Sequence, residues 1–265
     1  MDPDHPTERL AFMLQDTGAP VLLTIQSLRD KLPETSISVV YLDYWKNIDR
    51  YPTSAPASLA TPTGLAHVIY TAGSAGEPKG VLIEHAGLAN LAYQHRNLYG
   101  DREEIRISQI ANVCVGSMDS EIWPALLSGA SLCITPNEVR ADPERLQRWL
   151  IKQRIIIAFT TTVIAERLLA LSWRKENVAL RVLRFGGELF RERLGNRYYP
   201  FYVYNEYGPT EDTVWTTVTE VVDERVSEGN IGYPIANHQV YVLNRNQNRV
   251  PVGEVGEIYV LVEWV

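Results

Sequence analysis

What most constrains this chain is a repeated switch in hydrophobic period. Short apolar or β-branched runs at residues 21–25, 37–42, 67–71, 81–84, 107–115, 131–134, 155–159, 181–185 and 201–204 read as strands. Stretches of helical spacing lie between most of them, as at residues 87–98, 143–152 and 163–171. Strands buried on both faces read as continuous apolar runs, so the pattern predicts an α/β fold of layered, mostly parallel sheets with helices. At the start, Thr7 offers a cap for a helix through Leu10, Met13 and Leu14 that ends at Gly18. Residues 51–64, loaded with Pro, Ser, Thr and Ala, form a connector. After Gly208 the helices drop out, and residues 213–222, 238–243 and 257–262 are strands in succession. About 1–212 is therefore expected as an α/β part and about 213–265 as a β-rich C-terminal portion.

Composition narrows the partners. The 265 residues are 45% hydrophobic and 22% charged, an ordinary globular balance. A net charge of -7 without a basic run speaks against nucleic-acid and membrane-surface binding. No leader pattern opens the chain, and no apolar run approaches membrane-spanning length. Cys114 and Cys133 sit in apolar stretches and read as buried small hydrophobes, which fits a reducing, cytoplasmic compartment. The five histidines lack metal-ligand spacing, so no zinc site is expected.

The most informative stretch is residues 71–80. Gly73, Gly76 and Gly80 permit tight turns and close backbone approach. Thr71 and Ser74 supply hydroxyls, and amide groups in such a loop can form an anion nest. Lys79 adds a cation in a chain with only five lysines. A P-loop needs a second glycine five positions after the first, then Lys and Ser/Thr; here Pro78, Lys79 and Gly80 occupy those positions. The glycine offsets also fail the dinucleotide fingerprint. Alone, the stretch leaves phosphate binding and a plain turn both open.

A second stretch, Asn205-Glu206-Tyr207-Gly208-Pro209-Thr210-Glu211, follows well downstream. The pair, in this order, resembles the adenylate-forming superfamily, and most closely the adenylation domains of nonribosomal peptide synthetases. The stretches 81–91, 122–130, 186–188, 232–237, 241–243 and 253–258 resemble further motifs of that family in register, so the likeness covers nearly the whole chain. It implies ATP-dependent activation of a small carboxylic acid as an acyl-adenylate. The acyl group then passes to phosphopantetheine on a peptidyl carrier protein, alongside the remaining synthetase domains. By position, Thr71, Gly73, Ser74, Gly76 and Lys79 would hold the β- and γ-phosphates, and Tyr207 would stack on adenine. Gly186, Gly187, Glu188, Asn205 and Gly208 would border the nucleotide. Thr210 would contact the α-phosphate, and Glu211 would bind Mg²⁺, a hard cation suited to carboxylate oxygen.

Three departures from the family pattern stand out. Ala72 and Ala75 replace hydroxyl residues in the loop, each removing a possible hydrogen bond to phosphate. The aspartate that usually anchors a substrate α-amino group falls at Gly116. An ammonium buried without a counter-charge is costly, so a keto or hydroxy acid is expected, with Asp119 usable only after a register shift. The other pocket positions are Ser117, Ser120, Phe159, Arg184, Glu206, Val214 and Trp215, beside Gly186. Arg184 and Glu206 either pair with each other or meet a polar substrate tail. Finally, the likeness implies a partial large subdomain, truncated at both ends, with the ribose aspartate and the lysine-bearing C-terminal subdomain outside it. Weak or absent catalysis by the isolated fragment is expected, and a nucleotide-binding module without catalysis is the alternative.

Overall fold

The structure is a computed structural model, and it describes residues 1–44, 48–72, 78–100, 104–191, 198–221 and 229–262. The chain opens with α1 (Thr7–Thr17), β1 (Val21–Thr24), β2 (Ser38–Tyr41), β3 (Leu65–Ala72), β4 (Pro78–Glu84) and α2 (His85–Tyr99). It continues through β5 (Arg106–Gln109), α3 (Asp119–Leu127), β6 (Ser131–Ile134), α4 (Asn137–Arg140), α5 (Pro143–Lys152), β7 (Ile157–Thr161) and α6 (Thr162–Ala170). Strands β8 (Val182–Gly186), β9 (Tyr202–Tyr207), β10 (Thr217–Glu220), β11 (Tyr233–Pro234), β12 (His238–Leu243) and β13 (Glu257–Val262) complete it.

Seven strands form the main sheet in the order β11-β10-β9-β8-β7-β5-β6. The pairs from β6 to β9 are parallel, and β10 and β11 add antiparallel strands at one edge. The β-rich end thus divides: β10 and β11 extend the main sheet, while β12 and β13 pair as a separate hairpin. Leu183 and Phe185 of β8, Ala158 of β7 and Val203 of β9 pack against Leu146 and Leu150 of α5 and Leu168 and Leu169 of α6. Side chains alternate along a strand, so Phe159, Arg184 and Glu206 project from the opposite face, the side occupied by α3 and by Tyr99 of α2. One face of the sheet therefore packs on the larger apolar cluster, and the other combines a smaller apolar cluster with buried polar groups. Among the described residues no helix is long and apolar enough to cross a membrane.

Several boundaries differ from expectation for physical reasons. The helix at the N-terminus starts at Thr7 itself, after Pro6, and Gly18 closes it in the left-handed conformation at φ 58°. The strand expected over 107–115 stops at Gln109, because Glu121 captures the next two amides, Ile110 and Ala111, at 2.8 and 2.9 Å. The strand expected at 213–222 begins only at Thr217, because Thr213 and Val214 have φ of 59° and 119°. Strand β9 runs on through Tyr207, so Asn205 and Glu206 lie in the sheet and not in a loop after it. Both cysteines are free and only half-buried, more accessible than the apolar context suggested.

Candidate functional site

On the polar face of the sheet, Arg184 is fully buried inside a ring of aromatic and polar neighbours. Its guanidinium lies over the rings of Tyr99, Phe159 and Trp215, at 5.2, 5.5 and 5.6 Å. It donates to the Ser120 hydroxyl at 2.9 Å and to the Ser120 carbonyl at 3.3 Å. Its Nε lies 3.1 Å from Glu206 Oε1 as an ion-pair contact without hydrogen-bond alignment. The Tyr99 hydroxyl donates to the same Glu206 oxygen at 2.9 Å. Burial pushes the Glu206 carboxyl up, against the pull of Arg184 and Tyr99; burial and Glu206 together raise Tyr99. Burial and Arg184 hold His95 well below the usual histidine range. Of the two readings left open by sequence, the pair with each other is the one formed.

The register explains the assembly. Parallel pairing aligns Phe159 with Arg184, and Gly186 with Glu206. Trp215 follows Thr213 and Val214, whose left-handed backbone turns the chain back toward the sheet. Gly208 lies so close to this segment that a Cβ there would run into the Trp215 Cα, the Thr216 nitrogen and the Val214 carbonyl. Gly116 is half-buried beside the turn that follows β9: a Cβ there would be 3.4 Å from the Thr210 methyl. Asp119 is not a free anchor. It is 1% exposed, with His67 Nε2 at 3.0 Å from one oxygen and Trp123 Nε1 donating to the other at 2.9 Å. Ser117, next to Gly116 in the chain, and Val214 remain partly accessible.

The other half of the site is open. Strands β3 and β4 pair antiparallel, with Thr71 opposite Lys79 and Ala72 opposite Pro78. Gly73, Ser74 and Gly76 lie outside the described residues. Lys79 Nζ is 3.4 Å from Glu211 Oε1, and both side chains are more than half exposed. Thr210 and Glu211 begin a short 3-10 turn, Thr210–Asp212, reached from β9 through Gly208 and Pro209. Tyr207 is exposed at the end of β9, and Gly187 and Glu188 are exposed just past β8. The Glu188 carbonyl accepts from the Thr162 hydroxyl at 3.1 Å, and Asn205 donates to the Asn230 carbonyl at 3.0 Å.

Tyr99, His95, Asp212 and His238 belong to this neighbourhood and were not singled out in the sequence. Tyr99 and His95 sit at helical spacing on α2 and read as core. The Asp212–His238 pair joins positions 26 residues apart and leaves no local pattern.

With the geometry in view, similarity to known proteins agrees with it. A family model described as AMP-binding enzyme matches residues 1–265. One of the linear gramicidin synthase polypeptides of Brevibacillus parabrevis is 44% identical over 98% of this chain. Surfactin synthase subunit 2 of Bacillus subtilis (strain 168) is 34% identical over 98% of it. The chain spans only 5% and 7% of the length of these two relatives. A solved nonribosomal peptide synthetase with α-methyl-L-serine-AMP bound superposes with a TM-score of 0.89. It is 26% identical and matches all of this chain and 30% of its own.

Proposed function

This chain belongs to the AMP-binding enzyme family, and on that premise we propose that it activates a short carboxylic acid lacking an α-ammonium group as its acyl-adenylate, in peptide-type biosynthesis. One observation carries the reading: Lys79 of β4, the turn with Thr210 and Glu211, and Gly116 lie together. The acid's carboxylate attacks the α-phosphorus of ATP in line and pyrophosphate leaves. The task of the protein is positioning and charge neutralisation.

Lys79, Thr71 and the loop residues Gly73, Ser74 and Gly76 hold the β- and γ-phosphates. Thr210 takes the α-phosphate, and Tyr207 lies against adenine with Gly186, Gly187, Glu188, Asn205 and Gly208 bordering the nucleotide. Among the described residues no group of three or more carboxylates, histidines or cysteines could cage a metal. That fits Mg²⁺, which keeps its waters and binds through one or two carboxylates plus substrate phosphates. Glu211 is the carboxylate that would hold it, and the ion supplies neutralisation of phosphate charge. The acyl acceptor is phosphopantetheine on a carrier protein or neighbouring synthetase domain.

Two features define the acid. With Gly116 where the family places its anchoring aspartate, and Asp119 committed to His67 and Trp123, neither position offers an α-ammonium a carboxylate. Ser120, Phe159, Arg184, Glu206 and Trp215 are each at most 6% exposed, so the pocket is filled behind its mouth and suits a short keto or hydroxy acid. The test is calorimetric binding of non-hydrolysable acyl-sulfamoyladenosines, with ATP–pyrophosphate exchange alongside. Short α-keto- and α-hydroxyacyl analogues should bind at least tenfold more tightly than aminoacyl ones. Preference for aminoacyl analogues would overturn the acid class, and failure of every analogue and of ATP would overturn the whole reading.

A further inference from the structure

The segment from Thr210 to Trp215 carries groups assigned to both halves of the site, and its backbone is strained. Thr213 and Val214 are β-branched, yet their φ angles are 59° and 119°. Such conformations cost on the order of 1–3 kcal/mol each and persist only where surrounding structure over-determines them. The restraints here are identifiable. The Thr216 hydroxyl donates to Asp212 Oδ2, spanning the two strained residues. Thr213 N donates to the Thr210 carbonyl at 3.1 Å, and Thr216 N to the Tyr207 carbonyl at 2.7 Å. Helix α2 presses on the same place: a Cβ at Gly87 would run into Thr213 Oγ1.

The remaining restraint comes from far along the chain. His238, at the start of β12, has Nε2 3.0 Å from Asp212 Oδ1 and Nδ1 3.1 Å from the Ala236 carbonyl. Both ring nitrogens face oxygen atoms, an arrangement the imidazolium satisfies by donating twice. Burial opposes that charge, but the hydrogen bonds to Asp212 and Ala236 outweigh it and hold His238 above its ordinary range. His238 is itself tied to α2. Asn90 donates to the Ala236 carbonyl at 3.3 Å, Ala236 N donates to Gln94 at 3.3 Å, and Asn237 donates to Asn90 at 2.7 Å. A continuous line of hydrogen bonds thus runs from α2 through residues 236–238 to Asp212 and Thr216.

We infer that His238 is a positioning residue: with Asp212 and Thr216 it clamps the strained Thr213–Val214 segment, and so sets Thr210 and Glu211 toward the nucleotide and Val214 and Trp215 against the acyl pocket. The inference rests on the functional reading for the roles of Thr210 and Glu211, but the clamp itself is a separate claim. It can be tested apart from activity. Amide hydrogen exchange should show residues 210–216 losing protection in His238→Ala while β8 keeps its protection.

In the same variant, ATP·Mg²⁺ affinity should fall roughly tenfold, the scale of one charge-assisted hydrogen bond. His238→Gln, which still offers a donor to Asp212, should recover part of both effects. A purely structural role would lower the unfolding midpoint and leave the affinity of the folded protein unchanged. Should His238→Ala fail to fold, Thr216→Val removes the span across the strained pair without touching His238, and should loosen the same amides. Unchanged exchange and affinity in folded variants would overturn the clamp. Loosened amides in a protein whose wild type binds no ATP would overturn the functional reading and leave the clamp standing.

Discussion

The two halves of the candidate site are built on opposite principles. The side proposed to take the acyl group is closed: Arg184, Glu206, Ser120, Phe159 and Trp215 are buried, and Arg184 is held by three rings, a serine and a carboxylate. The side proposed to take the phosphates is open: Lys79 and Glu211 are 65% and 53% exposed and meet at 3.4 Å across a solvent-screened gap. A buried charge without its partner is expensive, whereas an exposed pair contributes little to stability. The difference teaches that the acyl side is organised by folding, while the phosphate side keeps its charges available for a ligand.

That contrast can be broken most forcefully at Arg184. Replacing it with alanine leaves Glu206 buried without its counter-charge. The loss should be about 3–5 kcal/mol, measured by denaturant unfolding. A loss below ~1 kcal/mol would mean that the acyl side is no more preorganised than the surface.

The second test concerns the loop leading to Gly116. Burial pushes Glu121 up to about 8, against the pull of the Ile110 and Ala111 amides and of Arg184 and Arg140. Its folded value lies above its unfolded one, so the folded protein holds the extra proton between about 4.5 and 8. Stability should therefore fall as pH rises through that window, with a slope of about 1.4 kcal/mol per pH unit at most. Glu121→Gln should flatten the profile in thermal unfolding scans.

Smaller again is Gly208→Ala. Its Cβ would enter the backbone of Val214, Trp215 and Thr216, and overpacking of this kind costs about 1–3 kcal/mol. The shift in unfolding midpoint should come with weaker acyl-adenylate analogue binding. The smallest stability effect belongs to Lys79→Ala, within about 1 kcal/mol of wild type. The same variant should lose roughly tenfold or more in ATP affinity, the scale of a charged hydrogen bond. A change in stability without a change in affinity would reverse the contrast between the two halves.

Much of this architecture was legible from periodicity. The strands β5 to β10 of the main sheet and the helices α2, α5 and α6 follow from where apolar residues recur, whereas β11 was not among the expected strands. The errors fall where a distant side chain intervenes. Glu121 ends β5 by taking the amides of Ile110 and Ala111, and no local propensity at 110–115 announces that. The turn at Thr213 and Val214 defeats β propensity, because α2, Gly208 and the Asp212 restraints surround it on several sides.

By itself, the sequence determined the family and the order of its motifs, including the glycine-rich stretch at residues 71–80 and the stretch from Asn205 to Glu211. It also determined that no carboxylate stands at Gly116. These are properties of residue identity and short-range spacing, which survive without coordinates. Only the tertiary structure decided that Arg184 spends its charge on Glu206, that Asp119 is committed to His67 and Trp123, and that His238 reaches Asp212. The pairs Arg184–Glu206, His67–Asp119 and Asp212–His238 join residues 22 to 52 positions apart. Which side chain meets which across such distances is settled by strand register and helix packing, and neither is written in any local window of the chain.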